Sequence, residues 1–206
     1  MSLANSLDAG LAAMELDMHA GERAALLEYL ALLGKWNKTY NLTAINVPER
    51  MLTHHILDSL ALTPHVGAGP LLDVGSGAGF PGIPLAIARP DLRVTVMDAS
   101  EKKCGFMRQA AIELNLANVT VVHARVESFQ APQKFNQIVS RAFSELVEFV
   151  RVSAHLLAPE GNWLAMKGVH PLEEIARLNT ARVVRALSLK VPGLDAERSL
   201  IIMEPV

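Results

Sequence analysis

The sequence predicts an α/β fold, a mostly parallel sheet with crossover helices that ends in an antiparallel strand and carries an N-terminal helical extension. Three observations lead there. From Leu71 onward short apolar runs alternate with helix-compatible segments, the pattern of strands joined by crossover helices. A glycine-rich turn, "GSGAG", directly follows the first of those runs. Residues 1–66 differ in texture, with apolar positions at helical spacing.

Residues 1–66 are therefore expected to form a helical subdomain and residues 67–206 the sheet domain. From Asp17, read as an N-cap, Leu26, Leu27, Leu30 and Leu33 recur at three-to-four spacing, and Gly34 is the expected stop. The polar, aromatic stretch "KWNKTYNLTAI" is expected to connect to a second helix. That helix starts at Pro48, a residue suited to a first helical turn, and carries Leu52, Ile56 and Leu60 on one stripe before Pro64. "VGAGP" after it marks the boundary. Strands are expected at "LLDV", "RVTVMD", "NVTVVHA", "NQIVS" and "NWLAMK", and "ARVVRALSLKV" and "ERSLIIME" are expected to form a closing antiparallel pair.

Composition sets outer limits. The 206 residues hold 19 Lys+Arg against 21 Asp+Glu, a net charge of −2, with half the residues hydrophobic and 19% charged. This is enough for one full core and too apolar for a disordered chain. The single cysteine, Cys104, excludes a disulfide framework or a clustered-thiolate zinc site, fits a reducing compartment, and reads as a small core residue. The longest uncharged stretch, residues 74–88, is broken by four glycines and two prolines, so it is not a membrane helix. The N-terminus meets Asp8 and Glu15 early and has no basic residue ahead of its apolar positions, unlike a secretory signal. No membrane partner and no metal are expected.

The glycine turn carries the most chemistry. The dinucleotide fingerprint needs glycines at its first, third and sixth positions, but Gly75 and Gly77 are followed by Phe80 at the sixth. Asp73 precedes the turn by two residues, where a pyrophosphate would be repelled and a cation welcomed. S-adenosylmethionine, with an ammonium and a sulfonium and no phosphate, is complementary to that arrangement and is the expected cofactor. Asp98 ends the second strand beside it, where a carboxylate can accept both ribose hydroxyls. Alternatively, Asp73 and Asp98 cap helices or meet solvent. After the third strand, Val126 is placed against the adenine ring, with the Val126 and Glu127 amides at its edge; Glu127 reads equally well as a helix-start residue.

Basic residues follow the next three strands: Arg125, Arg141 and Lys167. Ligands in open α/β sheets bind outside the carboxyl ends of the strands, so three cations are expected at one rim. They suggest an anionic second substrate, with nucleic acid first; the plainer reading is local salt bridges. An Asn/Asp-Pro-Pro-aromatic turn is missing after the fourth strand, where "SRAF" stands, and no nucleophilic cysteine stands at the fourth or fifth strand end. No general base is evident, which suits a target such as ring nitrogen 7 of guanine, with a lone pair and no proton to lose. In the N-terminal part, Lys35, Trp36, Asn37, Tyr40 and Asn41 either read unpaired RNA or fasten the helices to the sheet, the second being favoured. His54, His55 and Asp58 read as a solvated or hydrogen-bonded helix face, and no third ligand makes them a metal site.

Taken in order, "KWNKTYNLTAI", "HHILDSLAL", "LLDVGSGAGFPGIPLAIARP", "VTVMDASEKKCGFMRQ", "VVHARVESF", "VSRAF", "MKG" and "LDAERSLII" resemble the bacterial ribosomal RNA small-subunit methyltransferase G family over nearly the whole chain. The resemblance implies a Rossmann-like class I S-adenosylmethionine-dependent methyltransferase fold. It implies a cytoplasmic enzyme that methylates ring nitrogen 7 of one guanine in the 530 loop of 16S rRNA, on ribosomal particles. It also implies cofactor contacts at Gly75, Phe80, the Val126-Glu127 backbone and Arg141, and substrate positioning by Arg125, Arg141, Lys167 and Arg198. Phe80 stands where some relatives carry leucine. His54 and Ser199 depart from frequent arginine and histidine and are given no catalytic role. The oligomeric state is left open, with a monomer favoured. Other readings of the same residues are a small-molecule methyltransferase and a non-enzymatic rRNA-binding assembly protein.

Overall fold

The computed structural model describes residues 2–141, 143 and 145–206; Ala142, part of the "SRAF" stretch, lies outside the described residues, as do Met1 and Ser144. The seven strands are β1 (Leu71–Val74), β2 (Val94–Asp98), β3 (Val119–His123), β4 (Phe135–Ser140), β5 (Leu157–Lys167), β6 (Ala181–Ser188) and β7 (Ser199–Pro205). They form one sheet in the order β3-β2-β1-β4-β5-β7-β6. The first five are mutually parallel, and β7 runs antiparallel to both β5 and β6. This is the mostly parallel sheet with an antiparallel close expected from the strand pattern.

Alternation along the strands sorts side chains onto two faces. Leu71, Val94, Val96, Val139, Leu164, Leu200 and Ile202 belong to one buried cluster. Leu72, Met97, Ile138, Ala165, Ile201 and Met203, one residue out of phase, belong to the other. The first face is covered by α5 (Gly82–Ala88) and α6 (Glu101–Glu113) together with the N-terminal helices, and its cluster runs from Leu7 to Ile202. The second face is covered by α7 (Leu146–Ser153), through Leu146, Phe149 and Val150. The core under the N-terminal helices is thus continuous with the sheet core. The short helix α8 (Leu172–Ala176) lies beyond β5.

The N-terminal helices differ in detail from the expectation. α1 (Leu3–Ala13) is capped by Ser2, whose side chain accepts from Asn5 N–H. α2 (Ala20–Tyr40) starts after His19, not Asp17, because Glu22 reaches back to the His19 N–H at 2.8 Å and closes a capping box. It does not stop at Gly34. It continues through Lys35, Trp36 and Asn37 to Asn41, which takes the left-handed conformation that ends helices. Gly34 has nothing near its missing Cβ, so it interrupts neither packing nor hydrogen bonding. The second helix does begin at Pro48, as α3 (Pro48–Met51), widens into a π stretch at Leu52–Leu57, and closes as α4 (Asp58–Leu60), short of Pro64.

Trp36 packs edge-on against Phe106 of α6 at 5.6 Å and against Tyr40 at 5.0 Å. The aromatic part of "KWNKTY" therefore fastens α2 to the sheet domain. Asn37 is buried and grips the following loop, accepting from Thr43 N–H at 2.8 Å and donating to Thr43 O and Asn46 Oδ1. Cys104 is fully buried in α6, its thiol near the Asp98 carbonyl at 3.3 Å.

Candidate functional site

Strand order reverses between β1 and β4, so a crevice opens outside their carboxyl ends. The glycine turn leaves β1 there. Asp73, in the β1 position that faces α5, is completely buried, and its Oδ2 accepts from Gly82 N–H at 2.8 Å. A Cβ on Gly82 would sit 2.5 Å from Val96 Cγ1 and 2.8 Å from Asp73 Oδ2, so only glycine permits this approach. Asp73 Oδ1 is buried without a hydrogen-bond partner among the described residues. Desolvation pushes the Asp73 carboxyl up to about 7. The site thus stores an under-satisfied acidic group directly beneath the turn.

Gly77 has φ of +62° and donates its N–H to Asp98 Oδ2 at 2.9 Å. Ser100 N–H takes Asp98 Oδ1 at 2.9 Å, and Lys103 Nζ stands 3.6 Å from Oδ2. Asp98 is therefore built into the turn, with each oxygen holding a main-chain donor and one further acceptor position. Tyr29 braces the same turn from α2. Its hydroxyl donates to the Ala78 carbonyl, and burial raises the phenol pKa well above its ordinary value.

Two cavities meet at this end of the sheet. One, of about 230 Å³, lies over the turn between Gly75, Ser76, Gly77 and Phe80 and the loop residues Leu42 and Thr43. The other, of about 360 Å³, is lined by His54, Asp58, Met166, Lys167, Gly168 and Arg198. His55 and Arg141 line both, so this pair is the wall between them. The Arg141 guanidinium stands 5.3 Å from the Phe80 ring centroid. His55 lies flat on the same Phe80 ring and hydrogen-bonds Thr43 Oγ1 through Nε2 at 2.9 Å. Its Nδ1 faces the His54 carbonyl at 3.1 Å, which accepts only, so Nδ1 carries the proton. Burial, with the Arg141 charge second, lowers the His55 pKa to about 4. At neutral pH it is an uncharged, fixed tautomer.

The structure gathers most, but not all, of the residues singled out from the sequence. Arg141, Lys167 and Arg198 share the larger cavity, and Gly75, Gly77, Phe80 and Arg141 the smaller. Arg198 reaches the rim because β7 is antiparallel: Lys167 pairs with Ser199, which puts Arg198 beside the end of β5. Local ion pairs are also present, as the plainer reading anticipated. Asp58 holds both Arg141, at 3.0 Å, and Arg198, at 2.7 Å, while Glu174 holds Lys167 at 2.7 Å. Arg125 and Glu127 are exposed around the short 3₁₀ turn after β3, and Val126 is buried against the second face. These three line neither cavity, and neither do Asp73 and Asp98, which lie buried behind the glycine turn. Asp58 and His55 are buried, not solvated, and belong to the cavity walls.

Sequence reasoning passed over Tyr29 and Thr43. Tyr29 had one signal, an aromatic beside the apolar stripe of α2; Thr43 had none, since its role depends on where a loop folds. Among the described residues no group of three or more His, Cys, Asp or Glu is arranged to hold a metal. No helix among them is long and apolar enough to cross a membrane.

Comparison with known proteins gives a consistent result. The family model described as rRNA small subunit methyltransferase G matches residues 22–201. The Ribosomal RNA small subunit methyltransferase G of Chromobacterium violaceum is 55% identical over 199 residues, 96% of this chain and 95% of that protein. The protein of the same name from Laribacter hongkongensis is 54% identical, covering 98% of each chain. Among solved structures, the glycopeptide N-methyltransferase MtfA aligns with a TM-score of 0.60 over 72% of this chain and 96% of its own, at 14% identity. TrmN from Thermus thermophilus aligns at 0.53 over 72% and 47%, at 19% identity. At such low identity these two speak for the fold alone. The sequence matches reach further, over nearly the full length, and by them this chain belongs to the rRNA small subunit methyltransferase G family.

Proposed function

We propose that this protein transfers a methyl group from S-adenosylmethionine to ring nitrogen 7 of a guanine in the 530 loop of 16S rRNA, acting in the cytoplasm on the small ribosomal subunit or its precursors. The observation that carries the reading is the pair of cavities sharing the His55–Arg141 wall. One is walled by a glycine turn over buried carboxylates, and the other by cations.

The residues of the smaller cavity fit the cofactor. Behind its lining, Asp73 and Asp98 are buried beneath the turn, an acidic backing complementary to a positively charged, phosphate-free ligand. A Cβ on Gly77 would meet open space, so the turn offers its main chain to a ligand at close range. The bound cofactor supplies a methyl group activated by its sulfonium charge. Gly75, Gly77 and Phe80 line its site, Asp98 is assigned to the ribose hydroxyls, and Val126 with the Glu127 amide to the adenine.

The chain's own work is positioning. Guanine nitrogen 7 brings its own lone pair and releases no proton, so a general base is not required. This agrees with an uncharged His55 at the wall. Arg141 and Arg198, with Lys167, orient the guanine and its phosphates, holding the acceptor at the boundary between the cavities. Arg125, exposed after β3, is assigned to the RNA backbone outside them.

Incubating the protein with labelled cofactor and small subunits, or 16S rRNA, from a strain lacking the modification tests the reading. Label is expected as 7-methylguanine within the 530 loop. Label at another base would change the target. Transfer to small molecules that survives ribonuclease would point to a different substrate class.

A further inference from the structure

Resting on that reading, we propose that Asp58 is a positioning residue of the methyl-transfer site, whose carboxylate holds Arg141 and Arg198 as a single two-guanidinium unit facing the substrate cavity. Its side chain is 1% exposed, and its two oxygens are divided between the two arginines: Oδ2 accepts from Arg141 Nη1 at 3.0 Å and Oδ1 from Arg198 Nε at 2.7 Å. The two partners flank strands that are not neighbours, with β5 between them. Arg141 follows β4 and Arg198 precedes β7. Among the described residues no other side chain pairs with both.

The π stretch makes the arrangement possible. Wide helical turns of this kind concentrate at functional sites. Here the wide turn places the His54 carbonyl and the Asp58 carboxylate on the same donor, Arg141 Nη1, at 3.1 and 3.0 Å. Arg198 is further tied by Nη1 to the Glu197 carbonyl at 2.8 Å. Among the described residues Nη2 of neither arginine has a hydrogen bond, and both side chains line the cavity. A fork of donors is thus held from behind and left open in front, the geometry that suits a phosphate or the acceptor edge of guanine. Asp58 holds Arg141 and Arg198, and Glu174 holds Lys167, so the three cations outnumber their carboxylates by one and Asp58 fixes geometry at the expense of net attraction for RNA.

That opposition separates positioning from mere structural support. Asp58→Asn keeps the side-chain size and removes the charge. The expected result is a kcat lowered by about 100-fold, the scale of a misplaced reacting group. Affinity for a fluorescent 530-loop rRNA hairpin should stay equal or become tighter, with a salt dependence steeper by about one counterion. A kcat within about threefold of wild type, or RNA affinity falling in step with kcat, overturns the proposal. Should the melting curve show that this variant does not fold, Arg198→Lys keeps the charge and loses the Nε contact. It is expected to lose kcat while holding RNA affinity within about threefold, and normal turnover overturns the proposal. A wild-type protein that methylates no rRNA would overturn the functional reading instead. In that case the hairpin affinities still decide on Asp58: equal or tighter binding supports it, weaker binding overturns it.

Discussion

The imidazole of His55 lies flat against the ring of Phe80, centroids 4.6 Å apart and planes 20° from parallel. One ring comes from the π stretch of the N-terminal helices and the other from the glycine turn after β1, so the contact joins the two segments at the wall between the cavities. His55 is held uncharged, with a pKa near 4 against an ordinary 6.5. The unfolded chain therefore binds the extra proton between those values, and stability is complete above pH 6.5 and lost as pH falls from there toward 4. The loss reaches about 3 kcal/mol at most. Melting temperatures of His55→Gln should fall less steeply than those of wild type between pH 6.5 and 4.5. The pH–rate profile should show no His55 limb above about pH 5.

Asp73 behaves in the opposite sense. Burial raises its pKa from 3.8 to about 7, so the folded chain holds the extra proton and stability declines as pH rises through that window. Asp73→Asn removes the burial cost of the charge. At pH 8 the variant should melt several degrees above wild type, a gain of a few kcal/mol, with the difference closing toward pH 4. It should also bind S-adenosylmethionine about tenfold more weakly at pH 8. Wild-type affinity should climb between pH 6 and 8, while the variant's stays flat. Calorimetric titration at the two pH values checks both.

Gly77 and Gly82 should fail in different ways. Alanine at Gly82 meets Val96 and Asp73 at distances no Cβ tolerates, so it should lower stability by about 1–3 kcal/mol. Alanine at Gly77 has room for its Cβ, but the φ of +62° strains it by about 1–2 kcal/mol. Since Gly77 lines the smaller cavity, its methyl group should cost at least about tenfold in cofactor affinity in a chain that remains folded. Thermal melts paired with calorimetry distinguish the two outcomes.

Glu174 of α8 accepts from Lys167 Nζ at 2.7 Å and from Leu146 N–H, at the start of α7, at 2.9 Å. One carboxylate oxygen thus steadies a cavity cation and a helix N-terminus. Glu174→Gln weakens both contacts. It should lower stability by about 1–3 kcal/mol and reduce kcat/KM for rRNA by roughly tenfold. Denaturant melts and turnover at two salt concentrations test this. A variant with wild-type turnover would show that Lys167 needs no such restraint.

Much of this was legible in the chain. The seven strands, their parallel run and the antiparallel close follow from apolar runs whose alternation is a local property. The glycine spacing was legible for the same reason: Gly75 and Gly77 line the smaller cavity, while Asp73 and Asp98 are buried behind the turn outside its lining. Helix ends were less legible. Gly34 carries an intrinsic helix penalty of about 1 kcal/mol, and the packing of Trp36 on Phe106 together with the Asn37 grip on Thr43 outweighs it. The helix start moved from Asp17 to His19 because Glu22 closes a capping box there.

What the sequence determined by itself, then, was the sheet, the turn and which cations end which strands. Only the tertiary structure decided which of those cations stand together. Arg141 and Arg198 lie 57 positions apart in the chain, and no periodicity relates them; the antiparallel register of β7 brings them to one rim. Asp58, which on its own helix reads as an ordinary polar position, becomes the buried partner of both. Charge pairing of this kind depends on distances across elements, and those exist only after the core beneath them has closed.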